Sequence, residues 1–384
     1  MTARILFVSN GVSEDLIASR ILASLPPEGV TVTAYPLVGR GLYPPTVPLL
    51  DPRSDLPSGG FSFRAGMRGL RADLAAGIVG LWRAQRRTLA AQRGRFDLVV
   101  AVGDVYCLWM AHFASREVIF VSTADSIHTG GFGTQARWII RRHARQTFAR
   151  DPETAAALAA HGLLAVSVGN VMMDQLDLTG ETFGWPPQTP VVTLLPGSRR
   201  DAPENAVLIA RAAGAIADEI GDVGFLMAVA PTVSEAALRD RLCALTSAPA
   251  SRDGDVAIGS ARLHLTRSFP DAVARAWVVL GMAGTAHEQA AGLGRPVVAF
   301  PGPSAQFGPA FLTTQHRLLG DALVPTRNWR EAAAAVVRLL RDPEERRRRG
   351  EIGKARMGPP GAAQRIADDL VKLLLSEAGG GRPG

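Results

Sequence analysis

Short apolar runs recur along the chain, each followed by a glycine-containing polar turn and then by apolar residues at helical spacing. Such runs occupy residues 4–9, 30–35, 96–104, 118–121, 165–168, 191–195, 224–229, 261–265, 277–280 and 296–300. Most are continuously apolar rather than alternating, which is the signature of strands covered on both faces, as in parallel sheets. Helices are expected between them, beginning with one capped by Ser13 and ending near residue 25. Later helices are expected at residues 137–145, 233–245, 270–276, 329–341, 343–356 and 362–375. Strand, turn and helix in repetition predict an α/β protein with doubly wound parallel sheets.

The periodicity fails completely between Thr179 and Pro190, a stretch holding Pro186 and Pro187. That reads as a linker, and 384 residues suit two domains better than one core. The expected division is 1–176, a linker over 177–190, a second domain over 191–360, a terminal helix over 361–378 and a disordered tail over 379–384.

Composition agrees with a globular chain, at 47% hydrophobic and 20% charged residues. Only Cys107 and Cys243 occur, far apart, so neither a disulfide framework nor a cysteine-based zinc cluster is indicated and a reducing cytoplasm is expected. The N-terminus runs from an apolar stretch directly into a glycine turn, reading as a buried strand rather than a signal segment. No apolar stretch approaches the ~18 residues of a membrane span.

The net charge of +7 is unevenly placed. Arg64, Arg68, Arg71, Arg83, Arg86, Arg87, Arg93 and Arg95 face only Asp73 in that segment, an excess equal to that of the whole chain. Leu70, Leu74, Ile78, Leu81, Trp82 and Leu89 lie among them at helical spacing. The segment therefore reads either as a basic amphipathic element for an anionic membrane surface or as a core-facing helix with a solvated arginine face. No aromatic-interleaved pattern accompanies the charge, which argues against nucleic acid.

Candidate chemistry gathers at the carboxyl ends of the expected strands. After residues 277–280, Gly284 and Thr285 open a short helix whose unpaired N–H groups and positive dipole end suit a phosphate, with Glu288 one turn in for a ribose. An ordinary strand-to-helix turn is the competing reading. Pro196-Gly197-Ser198-Arg199 offers a flexible backbone beside an arginine able to grip an anion bidentately. Gln306 and Gln315 follow as candidates for sugar hydroxyls. In the first half, Asp104 ends an apolar strand and reads either as a general base or as a helix cap. Glu14 and Asp15 stand at the first turn, and Asp125 and His128 lie in a polar loop at the same edge. The long loop from residue 36 to 60 is read either as a lid or as passive. Asp253-Gly254-Asp255 is read as a hairpin turn rather than a metal site.

Four motifs in order, Asn10-Gly11-Val12-Ser13-Glu14-Asp15, Gly169-Asn170-Val171-Met172-Met173-Asp174, Leu194-Leu195-Pro196-Gly197-Ser198-Arg199 and Gly284-Thr285-Ala286-His287-Glu288-Gln289-Ala290, resemble lipid-A-disaccharide synthase and its related bacterial glycosyltransferases. The resemblance spans nearly the whole chain. It implies a GT-B glycosyltransferase: two Rossmann-like domains facing a central cleft, with the C-terminal helix packing back on the first. It implies a UDP-sugar held by Gly197, Ser198, Arg199, Gly284, Thr285, His287, Glu288 and Gln306, with Arg267 or Phe269 bordering the base. On the acceptor side it implies Asp104 and Glu14 as catalytic groups, with Asn10, Gly11, Ser13, Asp125 and His128 near the acceptor. No metal or other cofactor is expected if a helix dipole and Arg199 stabilise the departing UDP. The implied acceptor is lipid-linked or amphiphilic, met by a cytoplasmic enzyme peripheral to the membrane. This chain departs from the synthase at Asn10–Asp15 and at Gly103-Asp104-Val105-Tyr106, both on the acceptor side. The Gly284–Glu288 motif also resembles UDP-N-acetylglucosamine 2-epimerase, and a non-catalytic nucleotide-sugar-binding protein is a further alternative.

Overall fold

The computed structural model describes residues 2–54, 78–246, 255–258, 260–302 and 307–379, and these fall into two compact units. The first comprises residues 1–175 and 360–384, and the second residues 176–359.

The first unit runs β1 (Ala3–Ser9), α1 (Val12–Ala23), β2 (Val30–Pro36), α2 (Ile78–Ala91), β3 (Leu98–Gly103), α3 (Val105–Ala111), β4 (Val118–Ser122), α4 (Thr134–His143), β5 (Ala144–Ala149), α5 (Pro152–Ala159) and β6 (Ala165–Val166). Its strands form one parallel sheet in the order β2-β1-β3-β4-β5-β6. Because successive strand residues point to opposite faces, Leu6, Val8, Val99, Ala101 and Phe120 enter one core with α2, α3 and α4. Ile5, Phe7, Val100, Val102 and Ile119 enter another, against α1. Both faces are covered, which is why the strands read as continuous apolar runs.

Two local expectations change. Ser13 does not cap α1: the helix starts at Val12, its N-cap position is Gly11 with φ 144°, and no side chain caps it. A residue in that backbone region is favourably glycine, so the chain enters the helix two residues earlier than a serine cap at Ser13 would set. The helix expected over 137–145 stops at His143, and β5 begins at Ala144 with no intervening loop. Pairing with β4 on one side and β6 on the other supplies β5 with backbone partners that local helical periodicity does not reveal.

The described part of the loop after β2 is tied down at many points. Ala34 N–H donates to Pro48 O and Leu50 N–H to Ala34 O, both at 2.9 Å. Gln85, from α2, donates to Leu37 O at 2.6 Å. Residues 55–60, and Arg64, Arg68, Arg71 and Asp73 of the basic segment, lie outside the described residues.

The second unit runs β7 (Val191–Leu195), α6 (Ala202–Ile220), β8 (Gly224–Ala228), α7 (Glu235–Thr246), β9 (Val256–Ile258), β10 (Ala261–Thr266), α8 (Phe269–Arg275), β11 (Val278–Gly281), α9 (Thr285–Gly292), β12 (Val297–Ala299), α10 (Pro309–Leu319), β13 (Leu323–Pro325), α11 (Trp329–Arg341) and α12 (Pro343–Met357). The sheet order is β13-β12-β11-β7-β8-β10-β9, parallel except for β9, which pairs antiparallel with β10. Gly350 and Gly353 let α12 lie directly on the end of α9, since a Cβ on either would run into the carbonyl of Gly294 or Ala291.

The segment expected as a linker is fastened to this second unit. Asp271, at the start of α8, accepts from Thr179 N–H and Gly180 N–H at 2.9 Å and from the hydroxyls of Thr179 and Ser268 at 2.8 and 2.7 Å. Burial pushes that carboxyl up, but the four donors outweigh it and hold the pKa below its ordinary value. Trp185 closes over Gly224, where no Cβ would fit.

The last helix, α13 (Ala362–Gly379), packs on the first unit, as the fold expectation held. Ala362, Ala363, Ile366, Ala367 and Leu370 form its buried stripe beside Ile5 and Phe7. Asp174 receives Gly361 N–H and, at 2.6 Å, Ala363 N–H. The 169–174 motif therefore ends in the residue that caps the final helix. Among the described residues, no helix is long and apolar enough to cross a membrane.

Candidate functional site

In the second unit two turns meet at the carboxyl edge of the sheet. Met282 N–H donates to Leu195 O at 2.8 Å, continuing the β7–β11 pairing into both turns. Gly197 has φ 97°, and a Cβ there would stand 3.0 Å from Met282 O, so glycine satisfies a left-handed backbone and a close approach together. Asn205 of α6 donates to Pro196 O at 3.0 Å, and its Oδ1 lies against Gly302, where a Cβ would come within 2.9 Å. Thr232 donates to Ser198 O at 2.6 Å. These ties present Ser198, Arg199 and Thr285 on an exposed rim, with Gly284 partly exposed between them and Glu288 buried one turn below.

His287 braces this rim from behind. It is wholly buried, and its ring is engaged inside the unit. Ala283 N–H donates to Nε2 at 3.3 Å, leaving Nδ1–H to donate to Gln315 Oε1 at 3.0 Å. Gln315 in turn donates to Gly284 O at 3.1 Å. Burial lowers the imidazole pKa to about 4, so it stays neutral with one tautomer fixed. Gln315, expected for a sugar hydroxyl, is 3% exposed and occupied by this chain of bonds.

Arg267 is likewise spoken for. Its guanidinium donates to Ala230 O at 2.6 Å and Val233 O at 3.0 Å and pairs with Glu235 at 3.3 Å. It organises the 229–233 turn while its side chain stays 45% exposed beside Phe269 in the chain. Phe269 opens α8, partly buried. Gln306 lies outside the described residues, as do Asp253 and Gly254; Asp255 pairs with His264 at 2.9 Å.

The first unit gathers acids at its own carboxyl edge. Asp104 does cap α3, accepting from Cys107 N–H at 3.0 Å, and the same Oδ1 takes the Asn10 amide at 3.2 Å. Burial raises its pKa to about 6, opposed by the Cys107 N–H and reinforced by the Asp125 carboxylate. Capping and proton transfer are thus compatible readings of one side chain. Glu14, beside Gly103, rises to about 7, mainly through burial and further through repulsion from Asp104 and Asp15. Asp15 is a support residue: buried, it takes Ser9 Oγ at 2.6 Å and Leu42 N–H at 3.0 Å, while Tyr43 donates to Ser9 Oγ at 2.7 Å. Gly11 and Ser13 sit at the start of α1, with Ser13 exposed. His128 lies near Asp151 and Glu153.

A raised carboxyl pKa makes folding sensitive to pH in a defined direction. Below about pH 4.5 Glu14 is protonated in both folded and unfolded chains; as pH rises through 7 the folded state loses stability, because it alone disfavours the charge. Glu14→Gln should therefore be more stable than the parent above pH 7, by up to about 3 kcal/mol, with the gain fading near pH 4. Urea unfolding at both pH values checks this, and an equal difference at both would show that Glu14 is not the titrating group.

No family model matches the sequence, and no curated protein matches it. Solved structures do match in fold. CalG4, the calicheamicin glycosyltransferase, aligns over 100% of both chains at 17% identity and TM-score 0.61. MurG of Acinetobacter baumannii aligns over 96% of this chain and 99% of its own at 13% identity and TM-score 0.60. The UDP-GlcNAc 2-epimerase of Neisseria meningitidis, solved bound to UDP-GlcNAc, aligns over 96% and 100% at 13% identity and TM-score 0.53. The chain thus has the two-unit α/β fold that these glycosyltransferases and epimerases share.

Proposed function

We propose that this protein is a glycosyltransferase, akin to lipid-A-disaccharide synthase, that moves a sugar from a UDP-sugar to a lipid-linked or amphiphilic acceptor. The observation that carries the proposal is the locked pair of turns in the second unit, which presents Ser198, Arg199 and Thr285 together at one sheet edge. Helix N-terminal N–H groups and a guanidinium on one rim are what a diphosphate needs. In the transfer, the Asp104 carboxylate takes the acceptor hydroxyl proton as the oxygen bonds to the anomeric carbon. The bond from that carbon to UDP breaks, and the α9 N-terminus and Arg199 receive the charge that develops on the departing diphosphate, with no metal required.

The acceptor class rests on the basic face of the first unit. Arg83, Arg86, Arg87, Arg93 and Arg95 are exposed on and after α2, and Trp138 of α4 is 59% exposed. Trp82 stacks on Trp109 at 5.9 Å and serves packing. Arginines with an exposed indole suit an anionic, amphiphilic surface.

The epimerase reading draws on the neighbouring Glu14 and Asp104, two acids with raised pKa values able to remove and return a proton at a sugar carbon. One set of incubations separates the two. UDP-sugars should raise the melting temperature, and UDP should appear with a glycosylated product only when an amphiphilic acceptor is added. Formation of the 2-epimer from UDP-N-acetylglucosamine alone would replace transfer by epimerisation, and no thermal shift with any nucleotide would overturn both.

A further inference from the structure

We infer that the first unit carries a site for a divalent transition-metal ion, formed by His128, Asp151 and Glu153. One ligand atom from each lies within 4.8 Å of the other two. His128 sits in the short 3-10 turn Ile127–Thr129 that follows β4, a turn closed by a capping box from Ser126 and Thr129. Asp151 and Glu153 come from the start of α5, after β5. Thr154 fixes these two connections to each other, accepting from Ile127 N–H at 3.1 Å and donating to Ser126 Oγ at 3.3 Å. The two connections that carry the three side chains are thus held together by backbone and hydroxyl bonds independent of any ion.

Asp151 supplies the second, independent observation. It is 3% exposed, and its Oδ1 caps α5 by accepting Thr154 N–H at 2.7 Å. Its Oδ2 is buried with no hydrogen-bond partner among the described residues. A buried carboxylate oxygen left without a donor costs stability, and a cation beside it provides the missing partner. Two carboxylates also balance the charge of a divalent ion.

The donor set selects the ion. One imidazole and two carboxylates suit Zn2+ or Mn2+ better than Mg2+ or Ca2+, which prefer oxygen alone. Glu153 is exposed and gives the ion a path from solvent. Bound there, the ion clips the turn after β4 to the first turn of α5. His128, expected near an acceptor, becomes a ligand.

Chelator-treated full-length protein titrated with ZnCl2 and MnCl2 by calorimetry tests this. One ion should bind per chain and raise the melting temperature, whereas MgCl2 should not. Glu153→Gln, on an exposed residue, and Asp151→Asn, which keeps a good N-cap residue, should each weaken binding by at least about tenfold, as should His128→Ala. Co2+ should give an absorption spectrum with a nitrogen ligand that disappears in His128→Ala. No uptake by the parent protein, or uptake unchanged in Glu153→Gln and His128→Ala, would overturn the assignment.

Discussion

Replacing Asp104 with asparagine should lower sugar transfer by about 10³-fold while changing UDP affinity by less than about twofold. Asparagine can still accept Cys107 N–H and so keep α3 capped, but its amide cannot take a proton from an acceptor hydroxyl. The expected size follows from the proposed role as general base, for which burial has brought the carboxyl pKa to about 6, close to neutral pH. The accompanying pH profile is specific: the parent rate should fall as pH drops through 6, and the residual rate of the variant should lose that limb. Full transfer by Asp104→Asn, with an unaltered profile, would assign the base elsewhere and leave Glu14 as the first residue to test.

On the second unit, Arg199→Ala and Glu288→Ala should each weaken UDP binding by about 10- to 100-fold, from loss of charge-assisted hydrogen bonds to diphosphate and ribose. The pair is informative because the two residues differ in burial. Arg199 is exposed, so its loss should leave the unliganded melting temperature unchanged. Glu288 is buried in the first turn of α9, so unliganded stability must be measured beside affinity. Calorimetric titration with UDP reads both, and parent-like affinity in both variants would remove the diphosphate from this rim.

The four motifs fared differently in three dimensions. Pro196–Arg199 and Gly284–Thr285 were legible because glycine, helix start and strand end coincide locally, and their meeting followed once β7 and β11 paired as neighbours. The bonds that His287, Arg267 and Gln315 make within the unit were not legible, because a polar residue looks the same in sequence whether it faces a ligand or braces a turn from behind. Only burial and bonding partners separate those cases. Asn205 left a fainter signal: a polar residue on the face of α6 that otherwise carries Ala202, Ala206 and Ile209. A lone amide among small apolar residues has to satisfy a backbone, and here that backbone is Pro196. Asp174 was noticed as part of a signature, yet its partners at Gly361 and Ala363 lie nearly two hundred residues away.

The sequence by itself determined the α/β class, most strand positions, the break near residue 180 and the glycine turns, since each follows from periodicity and backbone freedom over a few neighbouring residues. The tertiary structure alone decided that the 177–190 stretch is held by Asp271 and that β5 follows α4 directly. It alone decided that Glu14 and Asp104 share a desolvated edge which moves both pKa values toward neutrality. Those outcomes depend on which distant groups supply donors, cover or charge, and a one-dimensional pattern carries no distances between them.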